Sequence, residues 1–155
     1  MQVQVHLHCY YHRRAQQPEL ERYCASVQYY KRHMGWWNHL HVLPFTVCSR
    51  PIKALRKNLL QDQYPIIAEV LHTIRIFKDP AFQSRLKIYR HSNIEHTYYR
   101  ALARAEGQLL KKMYLYLESV KLFYFESYVK YANQVWAVNS LDAAVLTSRY
   151  PQTTI

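Results

Sequence analysis

Glycine is scarce in this chain, and its scarcity excludes several nucleotide-binding motifs. Only Gly35 and Gly107 occur among the 155 residues, and they stand far apart. Loops that cradle a phosphate need several closely spaced glycines, because only glycine lets the backbone approach the phosphate so closely. The sequence therefore contains neither a P-loop nor the glycine fingerprint of a dinucleotide site, and a nucleotide would have to be held by another segment.

Long apolar runs and closely spaced cysteines are absent as well. No stretch of about 18 consecutive apolar residues occurs, so no helix is expected to span a membrane. Residues 1–6 lack the basic start and the apolar core of a secretory signal. Three widely spaced cysteines, Cys9, Cys24 and Cys48, form no C-x-x-C motif. This pattern indicates reduced thiols in a cytoplasmic protein rather than a disulfide framework or a zinc site.

Acidic residues are few, and the chain is strongly basic. Lysine and arginine number 21 against 10 aspartates and glutamates, which gives a formal net charge of +11. This balance favours an anionic partner, either nucleic acid, a phosphorylated metabolite or an anionic membrane surface, and does not choose among them.

The residue pattern alternates between strands and helices. Period-two or apolar runs predict strands over residues 3–9, 27–30, 65–71, 86–90 and 134–138, the third of them buried on both faces. Residues 45–48 are expected to be extended, and residues 73–85 a connector with one helical turn. Helices are predicted over residues 18–24, from residue 49 or 50 beyond Pro51, from about residue 94 to 132 with a kink or break at Gly107, and over residues 141–149. This order predicts an α/β domain with a Rossmann-like, mainly parallel sheet, flanking helices and a long kinked helix after the 86–90 strand.

Polar side chains follow several of these strands, where an open parallel sheet binds its ligands. We predict His72 and His91 as catalytic residues. The substrate-binding candidates are Thr73, Asn93, Glu95, His96, Asn139 and Ser140.

Several of these residues also fit a purely structural role. His72 also fits an ordinary loop histidine, Ser92 or Asn93 the N-cap of the long helix, and Asn139 or Ser140 the N-cap of the last helix. The pairs His6 with His8 and His39 with His41 have no third ligand in the pattern, so no metal is expected. The sequence has no nucleophile elbow, and none of its three aspartates is placed with a histidine.

The runs VHLHC at residues 5–9 and RHSNIEHTYY at residues 90–99 resemble segments of the N-terminal domain of bacterial glycosyltransferases with the GT-B fold, of the retaining, family-four type. Residues 5–9 (VHLHC) resemble the second strand of that domain, and residues 64–73 resemble its middle strand with the following histidine. The most specific part is residues 90–99 (RHSNIEHTYY), similar to a His-Asn-Ile-Glu-His segment before a long basic helix, with Ser92 as an insertion. Residues 118–128 and 135–142 resemble the charged turn of the paired helix and the strand that closes this region.

The resemblance implies one half of a two-domain enzyme. The first strand with its glycine-rich loop would precede Val3, and a donor domain would follow Ile155, so residues 1–155 are expected to form a single, incomplete Rossmann-like domain. The missing first strand would leave a gap in the sheet or force two strands to close up.

We therefore expect the acceptor-side part of a glycosyltransferase that moves a sugar from a nucleotide-sugar to a glycan or lipid-linked acceptor in surface polysaccharide synthesis, inactive alone. No cofactor and no nucleic acid are expected. The expected location is cytoplasmic. The basic face of Lys53, Arg56 and Lys57, with Leu59 and Leu60 beneath it, fits either an ordinary solvated face or peripheral contact with an anionic inner membrane. The alternatives are a basic nucleic-acid-binding module, or a non-catalytic subunit that pairs with a separate donor domain. His91 is expected to contribute little to stability, because a residue at a strand end has little packing to lose.

Overall fold

The computed structural model describes residues 3–13 and 16–155. Its strands are β1 (His6–Tyr11), β2 (Ser26–Lys31), β3 (Ile66–Glu69), β4 (Lys87–His91) and β5 (Gln134–Ala137). Its α-helices are α1 (Phe45–Cys48), α2 (Ile52–Leu59), α3 (Glu95–Ala105), α4 (Leu109–Phe125) and α5 (Ser140–Arg149). Single-turn or longer 3-10 helices cover Pro18–Arg22, Trp36–His39, Leu71–Lys78, Pro80–Phe82 and Glu126–Tyr131.

All the strand pairs are parallel, which confirms the predicted α/β class with flanking helices. β1 pairs with β2, and β4 lies between β3 and β5. The strands form two open sheets rather than one, since no ladder within the described residues joins β1 to β3.

The predicted long helix is two helices that pack against each other. α3 ends at Ala105 and α4 begins at Leu109, so the break falls at Gly107, where the sequence predicted it. α3 and α4 make the largest set of contacts between any two elements, and they form a helical hairpin. The helical pattern that reaches residue 132 continues beyond Phe125 only as the 3-10 helix Glu126–Tyr131.

Two local expectations are wrong. Phe45–Cys48 is a helical turn, not an extended piece, because the buried carboxylate of Glu118 accepts a hydrogen bond from the Phe45 N–H at 2.8 Å and holds the start of α1. β3 is not buried on both faces. Ile66 and Ala68 are buried, whereas Ile67 is 54% exposed, because one face of this strand has no covering element.

The core lies between the three-stranded sheet and the helical segments that follow its strands. Leu122, Phe125 and Val129 pack from α4 and the turn after it, and they meet Ile74 and Tyr89. Burying side chains of this size contributes about 1.5–3 kcal/mol each. This packing fixes the carboxyl ends of β3 and β4 against the start of α3, where the predicted site residues lie.

Candidate functional site

The carboxyl ends of β3 and β4 meet at one edge of the sheet. The parallel register pairs Glu69 with Arg90, so the residues that follow Glu69 and Arg90 lie side by side. His72 follows β3, His91 ends β4, and Glu95 opens α3. These three residues therefore lie in the same region, as the position of polar residues at the strand ends predicted.

A strained residue stands between β3 and His72. Val70 has φ 61° and ψ 155°, a conformation that is costly for a β-branched side chain. Such residues cost on the order of 1–3 kcal/mol and concentrate at functional sites. The strain at Val70 turns the chain out of the sheet and directs the next residues toward α3.

His72 and Glu95 form the centre of this edge. The His72 Nε2 atom lies 3.6 Å from Glu95 Oε1, and both side chains are about nine-tenths buried. Burial, with the positive charges of Arg50 and Arg32 nearby, lowers the pKa of His72 to about 3. The imidazole is therefore neutral at pH 7. With its Nε2–H facing the carboxylate, its Nδ1 is an acceptor.

The Nδ1 atom of His72 is buried and makes no hydrogen bond within the described residues. The same holds for the Nε atom of Arg50. Both residues line one small cavity of about 10 Å³, which is room for about one water or one hydroxyl group. A buried donor and a buried acceptor without partners cost stability, so this pair is expected to be completed by a ligand or a water.

Arg50 and Arg32 approach this cavity from α1 and β2. Arg50 donates to the Thr46 carbonyl, and its guanidinium carbon lies 5.9 Å from the centre of the Tyr10 ring. Arg32 donates twice to the Ser49 hydroxyl, at 2.6 and 3.1 Å. Burial, together with Arg32, lowers the pKa of Arg50 to about 10, which leaves it charged at pH 7.

His91 lies in a different setting from His72, because both of its ring nitrogens are engaged. Its Nε2 is 3.1 Å from Asp142 Oδ2, and its Nδ1 is 2.9 Å from the Tyr89 hydroxyl. A carboxylate only accepts, so Nε2 carries the proton and Nδ1 accepts from Tyr89. Burial lowers the pKa of His91, although the hydrogen bond with Asp142 acts in the opposite direction.

Two expectations about His91 are therefore wrong. The side chain is 2% exposed, so it has considerable packing to lose, and its position at a strand end did not prevent burial because α5 covers it. An aspartate does stand with a histidine, since Asp142 in the first turn of α5 reaches His91. The Tyr89 hydroxyl at the end of this chain of hydrogen bonds is buried in the core.

The remaining predicted site residues divide between structural and open roles. Asn139 caps α5 by accepting from the Asp142 N–H at 2.8 Å, which confirms the capping interpretation. Ser140 is exposed at the first position of α5. The Thr73 hydroxyl donates to the carbonyls of Glu69 and Val70 at 2.6 and 2.9 Å.

The N-terminus of α3 is open. Its N-cap is Ile94, which offers no side-chain hydrogen bond, so the expectation that Ser92 or Asn93 caps this helix is wrong. The Ser92 hydroxyl donates to Asn93 Oδ1 instead, at 3.1 Å. Asn93 is half-buried, and its role as a ligand contact stays a prediction.

His96 belongs to a buried network behind the site. Its Nδ1 lies 2.9 Å from Glu126 Oε2, and Arg149 donates to the other oxygen of that carboxylate at 2.7 Å. Burial would raise the pKa of Glu126, but the hydrogen bonds from His96 and Arg149 outweigh it and lower the pKa. This network fixes α3 against α5 and the turn after α4.

Sequence reasoning missed Arg32, Arg50 and Asp142. Arg32 directly follows β2, so the strand-end rule that selected His72 would have selected it too. The sequence predicts Arg50 only as a residue at the start of a helix. Nothing in the residue pattern places it beside His72, which lies 22 positions later. In the described part of the chain, no three His, Cys, Asp or Glu side chains come together in a way that could hold a metal ion.

Comparison with known proteins gives a distant relative. The chain is 32% identical over 111 residues to an uncharacterized 44.6 kDa protein in the cps region of Klebsiella pneumoniae. The match covers 68% of this chain and 28% of the relative, so the chain spans less than a third of that protein's length. No family model matches the chain. No solved structure matches it either.

Proposed function

We propose that this chain is the acceptor-side part of a glycosyltransferase, which moves a sugar from a nucleotide-sugar to a glycan or lipid-linked acceptor. The observation that carries the proposal is the neutral His72, with an unpartnered acceptor nitrogen, beside Glu95 at the carboxyl edge of a parallel sheet. The relative from a cps, or capsule, region supports a polysaccharide-related role. The resemblance of residues 90–99 to a glycosyltransferase segment supports the finer assignment.

In this proposal His72 contacts a hydroxyl of the sugar or of the acceptor through Nδ1. Glu95 orients the imidazole, and the open start of α3 contributes peptide N–H groups that favour negative charge on a departing diphosphate. His91 is a positioning residue, since Tyr89 and Asp142 occupy both of its nitrogens. Asn93 lies at the mouth of the site as a further ligand contact. In the enzymes that this chain resembles, a glycine-rich loop contacts the donor phosphates.

Binding and turnover measurements on the purified chain test this proposal. The chain should bind oligosaccharide fragments of a Klebsiella pneumoniae capsule, as followed by NMR. It should release no nucleoside diphosphate from UDP-glucose or GDP-mannose. His72→Ala should abolish oligosaccharide binding, and the matched change at the exposed His33 should leave it intact. Turnover by the chain alone, or binding unaffected by His72→Ala, contradicts the proposal.

Peripheral membrane contact belongs to the same proposal, and two surfaces could support it. On the predicted face of α2, Leu59 is buried in the core, whereas Leu60 at the end of the helix is 44% exposed. The α3–α4 hairpin carries a cavity of about 600 Å³ that combines apolar and basic residues: Leu109, Met113, Leu117, Arg100, Arg104 and Lys112. Exposed apolar residues with cations around them are typical of surfaces that rest on anionic lipid.

None of the helices in residues 3–13 and 16–155 has the length and apolar character needed to cross a bilayer. Sedimentation with vesicles of phosphatidylcholine alone or with phosphatidylglycerol added tests the peripheral contact. Binding only to the anionic vesicles is expected, with loss on Leu109→Glu. Equal sedimentation with both kinds of vesicle speaks against it.

A further inference from the structure

The site residues leave an excess of positive charge at one place. Arg50 and Arg75 line the cavity beside His72. Arg32 does not line it, but its positive charge acts on both His72 and Arg50, and Glu95 is the nearby carboxylate. Arg75 is half-buried and lines the same cavity as Arg50. Within the described residues, Arg75 makes no hydrogen bond or ion pair. The three guanidinium groups carry charge +3 against −1, which leaves about two charges without a local counter-ion.

Other carboxylates do not supply the missing charge. The carboxylate of Glu118 already accepts hydrogen bonds from the Lys121 ammonium, at 2.9 Å, and from the Phe45 N–H. Glu69 is on the exposed face of β3, where it forms an ion pair with Arg90. Partly buried charges without partners are costly, so the arrangement is expected to be completed from outside the chain.

We propose that Arg50 and Arg75, with Arg32 nearby, form a subsite for an oxyanion of the bound ligand, a carboxylate or a phosphoryl group that stays outside the small cavity, while an adjacent hydroxyl of the same ligand enters it and donates to His72 Nδ1. Guanidinium groups suit this task because their fixed N–H fork matches the paired oxygens of carboxylate and phosphate. The buried Nε of Arg50, which has no hydrogen-bond partner within the described residues, is a donor on a residue that lines the cavity. This inference rests on the proposed function and narrows it, since it makes the ligand an acidic or phosphorylated sugar rather than a neutral one.

The low pKa of His72 supports the same assignment. Neighbouring arginines keep the imidazole uncharged, so it does not add a fourth positive group and keeps a lone pair for a hydroxyl. A ligand that carries both a hydroxyl and an oxyanion satisfies the two kinds of unpaired group at once. A neutral sugar would leave the arginines uncompensated.

Titration of the chain with simple probes tests the subsite. Glucuronate, glucose 1-phosphate, inorganic phosphate and glucose are compared by NMR at two salt concentrations. Each oxyanion probe should bind more tightly than glucose, and affinity should fall as salt rises. Comparing glucuronate with glucose 1-phosphate separates the carboxylate from the phosphoryl group as the natural source.

Arginine variants give the decisive comparison. Arg50→Gln and Arg75→Gln should each weaken oxyanion binding about tenfold or more, because a hydrogen bond to a charged group contributes about 1.5–3 kcal/mol. Arg22→Gln makes the same charge change at an exposed position that ends the 3-10 helix Pro18–Arg22, and it should leave binding unchanged. Arg75→Gln should also fold with undiminished melting temperature, since it removes an uncompensated charge.

Binding of glucose as tight as that of the oxyanions, no binding of any oxyanion probe, or equal affinities in the Arg75→Gln variant overturn this inference. In those cases binding of a neutral capsule oligosaccharide would leave the proposed glycosyltransferase function standing. Retained oxyanion binding without oligosaccharide binding would instead support the anion subsite and contradict the proposed glycosyltransferase function.

Discussion

Protonation of His72 on acidification from pH 7 to pH 5 should make a destabilising contribution of its own to this protein. In the unfolded chain His72 has its ordinary pKa of 6.5, whereas in the folded protein burial and the nearby arginines lower the pKa to about 3. Between these values the unfolded state binds a proton that the folded state does not. Stability therefore falls as the pH falls, and the contribution is fully present only above the unfolded pKa.

The magnitude follows from the linkage relation. Each pH unit within this window costs about 1.4 kcal/mol, and titration of the unfolded imidazole from pH 7 to pH 5 amounts to about 2 kcal/mol. His91 contributes in the same direction, since burial lowers its pKa as well. Glu95 contributes in the opposite direction. Burial raises the pKa of its carboxyl group, so the folded state binds a proton more readily than the unfolded state and gains stability as the pH falls. The difference between the wild type and a His72 variant isolates the effect of His72.

Urea unfolding followed by tryptophan fluorescence at pH 7.0 and pH 5.0 measures this difference. His72→Gln keeps an N–H toward Glu95 and removes the titration, so its loss of stability on acidification should be about 2 kcal/mol smaller than that of the wild type. The matched change at the exposed His33 should reproduce the wild-type pH dependence. The reasoning is refuted if His72→Gln loses as much stability as the wild type between the two pH values.

Three further substitutions are expected to behave differently from one another in the same urea titration. His91→Ala should cost about 2–4 kcal/mol, because it opens a cavity and leaves the buried Tyr89 hydroxyl without a partner; a cost below about 1 kcal/mol would contradict this. Glu126→Ala should cost about 3–5 kcal/mol by leaving His96 unpaired in the core, and an unchanged midpoint would show that this network contributes nothing. Gly107→Ala should be neutral or stabilise by up to about 1 kcal/mol, since no atom lies within 4 Å of the added Cβ and the glycine does not have positive φ; a loss above 1 kcal/mol would count against it.

The parts of the fold that depend on neighbours in sequence were predictable. Alternating or apolar runs located the five strands in the described part of the chain, and Asn139 or Ser140 was predicted as a cap because the start of α5 has a local signature. The break at Gly107 followed from the cost of glycine inside a helix. The strand-end rule then placed His72, His91 and Glu95 at one edge, which is a consequence of parallel pairing alone.

The parts that depend on distant residues were not predictable. α1 forms because Glu118, which is 73 positions away, accepts the Phe45 N–H. His91 is buried because Asp142, which is 51 positions away, reaches it from α5. Arg50 joins His72 only through the folding of the whole chain. Each of these contacts is set by tertiary packing, for which a single sequence carries no periodic signal.

The division of the strands into two sheets has a consequence for how the molecule opens. Within the described residues the backbone ladder of β1 and β2 joins these two strands only to each other, and most of their side chains are half-exposed, whereas β4 is paired on both sides and largely buried. Amide hydrogen exchange should therefore separate into two levels, with β1 and β2 exchanging through local opening and β4 only through global unfolding. Arg32, which follows β2, would swing away in the first of these openings, so the anion subsite is built across the boundary between the weaker and the stronger part of the fold.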